Sequence, residues 1–130
     1  MEESNRKKQT RCPVSATLDI IGGKYKAHIL WQLTDKTLRF SRLKKLVPAA
    51  TPKMLTQQLR ELEGDGLLTR TVYAVVPPKV EYRLTPKGRA LRPILDAMYH
   101  FGAKLLQENG LEPDCTMVHD RNCCDSCKKD

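Results

Sequence analysis

The stretch FSRLKKLVPAATPKMLTQQLRELEGDGLL, residues 40–68, contains two short helical patterns joined by only a few residues. The first begins near Ser41, and Pro48 stops it, because the residue before a proline disfavours helical backbone. The second starts with a strong signal: Thr51 is a good N-cap, and the proline after it fits the first helical position, where its missing N–H would be unpaired anyway. We therefore predict two helices connected by a tight turn, with the second ending at the glycines at 64 and 66.

The second helix of this stretch has an apolar side and a polar side. Leu55, Leu59 and Leu62 recur at helical spacing and predict its buried stripe. A different face, also spaced by three and four residues, carries Lys53, Thr56, Gln57 and Arg60. Two helices joined by a tight turn, the second with a polar outer face, form a helix-turn-helix.

These polar residue types match the exposed edges of DNA bases. An α-helix fits the major groove, which is about 12 Å wide, and lysine or arginine can bond guanine edges or phosphates there. Glutamine can bond adenine through two hydrogen bonds, and threonine can touch a thymine methyl group. We therefore predict that residues 51–63 read DNA. The competing interpretation is that any solvent-facing helix looks polar.

The residues after this helix change their period and predict a β-hairpin. LLTRTVYAVV at 67–76 and VEYRL at 80–84 are rich in β-branched and aromatic residues, and PPK lies between them. Such a wing, with Arg70, Lys79 and Arg83, could rest on the flanking DNA backbone or minor groove, and Lys79 at the tip is the foremost candidate. The alternative is a sheet edge blunted by charge and proline, on which the arginines are merely solvated.

Two further helices are predicted before the helix-turn-helix. They cover residues 14–21 and about 25–33, and the two glycines between them would each cost roughly 1 kcal/mol inside a helix. We expect Leu18 and Ile21 to face the core. A brief strand is expected at 38–39.

The start signal is repeated in LTPKG, where Thr85 caps a long helix that we expect to run from 86 to about 109 and to end before Gly110. Apolar residues recur along it at alternating three- and four-residue steps: Leu91, Ile94, Met98, Phe101 and Leu105. Such a seam packs on a partner helix or on the domain's own core. The predicted fold is mainly α with a small β-hairpin, and we expect a homodimer built by the helices at 14–21 and 86–109.

Length and charge fit one small basic domain. The 130 residues divide into a flexible basic arm at 1–11, a domain at 12–109 and a cysteine-rich tail at 110–130. The chain has 23 Lys and Arg against 15 Asp and Glu, a formal charge of +8. A protein this basic is attracted to polyanions, most commonly nucleic acid.

Several function classes find no support in the sequence. No run approaches the roughly 18 apolar residues of a membrane span, and the polar first residues are no signal peptide, so a cytoplasmic protein without membrane contacts is expected. The segment GGK at 22–24 lacks the spacing of a phosphate-binding loop, and neither G-x-S-x-G nor H-E-x-x-H occurs. We therefore do not expect an enzyme.

The tail carries candidate metal ligands: Cys115, His119, Cys123, Cys124 and Cys127. C-x-x-C at 124–127 is a usable zinc half-site that His119 or Cys115 could complete. Free thiols and a disulfide between protomers are the competing outcomes. No other cofactor is expected. A thiol- or metal-sensing protein with its primary site in this tail is the alternative to a DNA-binding regulator.

Motifs along most of the chain resemble the HxlR-type winged-helix transcriptional regulators, relatives of the MarR group. The matching segments are CPV at 12–14, LDIIGGKYKAHIL at 18–30 and LRFSRLKKLVP at 38–48, followed by TPKMLTQQLRELEGDGLLTRTVYAVVPPKVEYRLTPKGRAL at 51–91. The resemblance covers about residues 11–108. It implies a bacterial or archaeal homodimer that binds a pseudo-palindromic DNA operator.

The resemblance also bears on two single residues. Tyr25 stands where the family usually has tryptophan after GGK, and we expect the exchange to preserve a buried ring. Cys12 precedes the first helix beside Arg11, where a thiol would have a lowered pKa, and several regulators resembling this one use a cysteine in this CPV position to sense electrophiles or oxidants. The sequence thus predicts a sequence-specific transcriptional regulator with Cys12 as a redox sensor; an inert, packed cysteine is the alternative.

Overall fold

A computed structural model describes residues 11–112 of the chain. Its helices are α1 (Pro13–Ile21), α2 (Lys26–Gln32), α3 (Phe40–Leu46), α4 (Pro52–Gly64), α5 (Pro86–Arg89) and α6 (Arg92–Glu108). Its strands are β1 (Leu38–Arg39), β2 (Leu68–Tyr73) and β3 (Lys79–Leu84). The predicted winged helix-turn-helix, mainly α with a small β-hairpin, is confirmed. None of the described helices combines the length and apolar character that crossing a membrane requires.

Helix α4 begins and packs as its sequence predicts. The Met54 N–H donates to the Thr51 side-chain oxygen at 3.1 Å, which satisfies one of the amides that the first turn of a helix leaves unpaired. Its leucine stripe is fully buried and joins α2, α3 and the sheet in one core, whose best-buried side chains include Ile29, Leu30, Leu33, Leu43, Leu55, Leu59, Leu62 and Leu67. One side of α4 is therefore fixed, and the other faces solvent.

The wing is the hairpin of a three-stranded antiparallel sheet in the order β1-β3-β2. The hairpin ladder runs from the pair Leu68 and Leu84 to the pair Tyr73 and Lys79. The short strand β1 adds to the other edge of β3, where Leu38 pairs with Tyr82. The brief strand expected at 38–39 is thus confirmed, and it ties the start of the helix-turn-helix to the wing.

The expected continuous helix at 86–109 is wrong, because the structure divides it into α5 and α6. Pro93 explains the break. In an unbroken helix its ring would clash with the Arg89 carbonyl, four residues earlier, and no N–H would be present to bond that oxygen. Proline is tolerated in a first helical turn, and α6 starts just before it.

The expectation that Leu18 faces the core is also wrong. Its side chain is 57% exposed, whereas Ile21 is buried as expected. Val14 lies one helical turn before Leu18 on the same face of α1 and is exposed as well. This apolar face of α1 points away from the core of the chain.

Of the predicted N-terminal arm at 1–11, residues 1–10 lie outside the described part of the chain, and of the predicted cysteine-rich tail at 110–130, residues 113–130 do. The same holds for all the candidate metal ligands, Cys115, His119, Cys123, Cys124 and Cys127. Within residues 11–112, no three His, Cys, Asp or Glu side chains are placed to hold a metal ion.

Candidate nucleic-acid interface

The solvent face of α4 carries the residues that the sequence predicts to read DNA. Lys53, Gln57 and Arg60 are exposed, and Thr56 is half-buried. The Thr56 hydroxyl donates to the Pro52 carbonyl at 2.8 Å, so its proton is committed to the helix backbone. The face therefore presents two cations and an amide to solvent, with the threonine at its edge.

Two residues outside this set, Glu61 and Lys26, hold the side chain of Gln57 in place. The Gln57 amide nitrogen donates to Glu61 Oε2 at 2.9 Å. The other oxygen of Glu61 lies 2.6 Å from the ammonium group of Lys26, whose side chain is only 3% exposed. Sequence reasoning missed Lys26 and Glu61. The four-residue spacing of Gln57 and Glu61 was a usable signal for their contact, but nothing local in the sequence places Lys26 under α4.

A groove of about 450 Å³ separates α4 from the wing. Thr56 and Arg60 line it from α4, and Arg70 lines it from β2. Phe40 and Tyr82 are among its other walls. The fold thus brings together three of the predicted DNA-contacting residues, with one arginine from α4 and one from β2 lining the same groove.

Lys79 lies apart from that groove and has partners of its own. Its ammonium group is 3.4 Å from Glu81 Oε2 and sits 4.8 Å from the centre of the Tyr73 ring. Beyond it the tip is apolar, since Val75 and Val76 are exposed. A contact between Lys79 and DNA stays a prediction.

The turn of the helix-turn-helix is braced by Tyr25. Its backbone is left-handed, with φ of 72°, and its half-buried ring packs against the core. The hydroxyl donates to the Ala49 carbonyl, in the turn between α3 and α4, at 3.3 Å. The ring is therefore largely kept from solvent, as expected, and the hydroxyl adds a polar contact that a tryptophan could not make in the same way.

Cys12 occupies the N-cap position of α1 and is exposed. Hydrogen bonds from the backbone and the hydroxyl of Ser15, and then from the backbone of Val14, hold the pKa of the thiol below its usual value. A lower pKa raises the fraction of thiolate, the reactive form, at neutral pH. The thiol is thus placed at the surface rather than packed in the core.

Comparison with known proteins agrees with this geometry. The model of the HxlR-like helix-turn-helix family matches residues 20–110. The HTH-type transcriptional regulator YtcD of Bacillus subtilis (strain 168) is 56% identical over 97 residues, which are 75% of this chain and 77% of YtcD. The regulator YdeP of the same strain is 55% identical over 93 residues, 72% of this chain and 73% of YdeP.

Among solved structures, the redox regulator HypR in its oxidized form superposes with a TM-score of 0.69 at 49% identity. The match covers 72% of this chain and 96% of HypR. These relatives are regulators rather than enzymes, which confirms the expectation drawn from the missing catalytic motifs. The chain therefore belongs to the HxlR-like helix-turn-helix family, and it is a transcriptional regulator with a winged helix-turn-helix DNA-binding fold.

Proposed function

We propose that the protein binds a pseudo-palindromic DNA operator as a homodimer and reads it with α4 in the major groove. The observation that carries this proposal is the division of α4 into a fully buried leucine stripe and an exposed face. Because the stripe fixes the rotation of the helix, Lys53, Gln57 and Arg60 have a defined direction. Lysine and arginine suit guanine edges or phosphates, and glutamine suits adenine.

The groove between α4 and the wing supports further contacts. Arg60 and Arg70 both line it, so a phosphate backbone that follows the groove would come within reach of both side chains. We assign Arg70 and Lys79 to the DNA backbone, where contacts set position rather than sequence preference. Thr56, at the groove edge, offers its methyl group to a thymine.

Dimerisation is supported by apolar side chains that the single chain leaves uncovered. Along α6 these exposed residues are Ile94, Met98, Phe101 and Leu105, with Phe101 73% exposed. The outward face of α1, with Val14 and Leu18, adds to them. A two-fold dimer through α1 and α6 would place two α4 helices on half-sites about 10–10.5 bp apart, or a multiple of that spacing.

Gln57→Ala tests the reading of DNA. We expect it to relax preference at one base position in each half-site, with a loss of discrimination of about 1–3 kcal/mol, because the bidentate contact is removed. Selection of bound sequences from a random library, followed by affinity measurements on the selected site and its single-base variants, measures this. An unchanged base-preference profile would contradict the placement of α4.

A second proposal concerns regulation: modification of Cys12 by oxidants or electrophiles changes DNA affinity. Its support is the exposed thiol with a lowered pKa, together with the likeness to the redox regulator HypR. Cys12 also begins α1, so a change there would act on the proposed dimer contact.

Cys12→Ser tests this second proposal. We expect peroxide, diamide or quinone to lower the operator affinity of the native protein and to leave that of Cys12→Ser unchanged. The matched control keeps Cys12 and replaces the remaining cysteines by serine: Cys115, Cys123, Cys124 and Cys127. If the control loses the response, or Cys12→Ser keeps it, the sensor lies in the tail and the proposal for Cys12 is wrong.

A further inference from the structure

Three polar side chains form a continuous chain of contacts from beneath α4 to its DNA-facing side. Lys26 of α2 lies 2.6 Å from one oxygen of Glu61, and the other oxygen accepts a hydrogen bond from the Gln57 amide at 2.9 Å. Lys26 is 3% exposed and Glu61 is 27% exposed. The chain therefore leads from a buried cation to the exposed amide that we assign to base reading.

The contact with Glu61 determines which way the Gln57 amide faces. An ionised carboxylate only accepts hydrogen bonds, so the amide must turn its NH2 group toward Glu61 and its oxygen away. The NH2 group keeps a second proton for another partner. An amide held in this way offers one acceptor and one donor at fixed positions, which complements the N6 donor and the N7 acceptor of adenine.

Lys26 explains how a carboxylate is tolerated at this place. A negative charge on a helix that approaches DNA phosphates would weaken binding unless it were compensated. Lys26 supplies the compensating positive charge from the protein side. As a buried cation, Lys26 in turn needs the carboxylate of Glu61. The aliphatic part of the Lys26 side chain runs close to the turn between α1 and α2. A Cβ atom at Gly23, in that turn, would lie only 3.1 Å from it.

We propose that Glu61, anchored by Lys26, is a positioning residue that holds the Gln57 amide in the orientation that selects adenine. This inference rests on the proposed function, in which Gln57 reads a base. On this proposal, Glu61 and Lys26 contribute to the sequence preference of the protein without contacting DNA themselves.

Glu61→Gln is the central test, because the new side chain keeps the shape but can donate as well as accept, so the Gln57 amide is free to turn over. In the full-length protein we expect discrimination at the base position identified by Gln57→Ala to fall by roughly 5- to 150-fold, the range of one bidentate pair. Preferences at the other positions should persist. Glu108→Gln, on the exposed surface of α6, makes the same change in net charge and should retain full discrimination.

Glu61→Gln leaves the buried ammonium group of Lys26 without a countercharge, which destabilises the fold. The double variant Lys26→Met/Glu61→Gln removes both charges and keeps the volume, so it should melt close to the native temperature in circular dichroism. It should lose the same discrimination as Glu61→Gln. A Gln57→Ala/Glu61→Gln protein should lose no more than Gln57→Ala alone, because both changes remove one contact.

Each outcome separates this inference from the proposed function. If the folded double variant keeps native discrimination at the position where Gln57→Ala loses it, the positioning role is overturned, whereas base reading by Gln57 stands. If Gln57→Ala itself leaves every base preference unchanged, both are overturned. If the double variant and Gln57→Ala broaden preference at the same position, the positioning role is supported.

Discussion

Two helices of this protein begin with the same three residues, and only one of them becomes long. Thr-Pro-Lys starts α4 at 51–53 and α5 at 85–87. In both, the threonine oxygen accepts the backbone N–H three residues later at 3.1 Å. Yet α4 runs for 13 residues and α5 for 4. A capping signal therefore decides where a helix starts, and the residues after it decide how far it runs and what it does.

The residue three positions after the cap shows the difference. In α4 it is Met54, which packs partly against the core. In α5 it is Gly88, and a Cβ atom there would lie 2.1 Å from the Leu67 carbonyl oxygen. The Thr85 hydroxyl also donates to the Gly66 carbonyl at 2.6 Å. Helix α5 thus holds the segment that joins α4 to the wing in place, whereas α4 packs one side on the core and exposes the other.

Gly88→Ala should have the largest effect. The added methyl group collides with backbone, so we expect the free energy of unfolding to fall by about 1–3 kcal/mol, as for overpacked sites. Gly64→Ala is the matched control at the end of α4, where a Cβ atom meets nothing within 4 Å. It should leave stability unchanged or raise it by up to about 1 kcal/mol. Urea unfolding measures both, and equal losses would show that the close approach is absent.

Replacing the two capping threonines should change the free energy of unfolding by amounts that differ less than those of the two glycine variants. Thr51→Ala removes one hydrogen bond to a backbone amide and should cost about 1 kcal/mol. Thr85→Ala removes a similar bond and also the bond to Gly66, so its cost should be nearer to about 2 kcal/mol. Thermal unfolding of the two variants side by side gives the order. A greater loss of stability for Thr51→Ala would contradict the role of α5 in holding the segment between α4 and the wing.

The lysines of the two Thr-Pro-Lys starts, Lys53 and Lys87, should affect different properties: one DNA binding, the other stability. Lys87 donates to the Asp65 carbonyl at the C-terminal end of α4 at 2.9 Å, so Lys87→Ala should cost about 0.3–1 kcal/mol of stability and leave DNA affinity unchanged. Lys53→Ala should leave stability unchanged, weaken binding to all DNA sequences, and flatten the dependence on salt. Fluorescence anisotropy over a salt series, paired with unfolding curves, measures both quantities. A change of base preference in Lys53→Ala would contradict a phosphate contact.

Local signals were sufficient for most of the fold. Thr51 and the leucine spacing predicted the bounds of α4 and its buried side, because caps and periodicity act within a few residues. The apolar seam from Ile94 to Leu105 also lies on one helix, α6, but that helix begins just before Pro93 and is not continuous with α5 as the pattern predicts. There the local rule on proline was stronger than the periodic pattern.

Tertiary contacts set the limit of sequence reading. Periodicity showed that Leu18 belongs to an apolar face, but it could not distinguish a face that meets the core from one that remains uncovered. Similarly, the lysine at 26 looks like a surface residue until the fold places it under Glu61. Contacts between residues 35 positions apart have no spacing rule in the sequence.

The apolar tip of the wing affects what the salt dependence of DNA binding would measure. Residues 71–78 contain no lysine or arginine, and the ammonium group of Lys79 already has Glu81 and Tyr73 as neighbours. A protein group displaces condensed counterions from DNA only where it brings a positive charge to a phosphate. The slope of log affinity against log salt would therefore register the cations of α4 and the groove, and Lys79 only where a phosphate takes the place of Glu81 beside it. Valine and proline at the tip would contribute mainly to the heat-capacity change of binding.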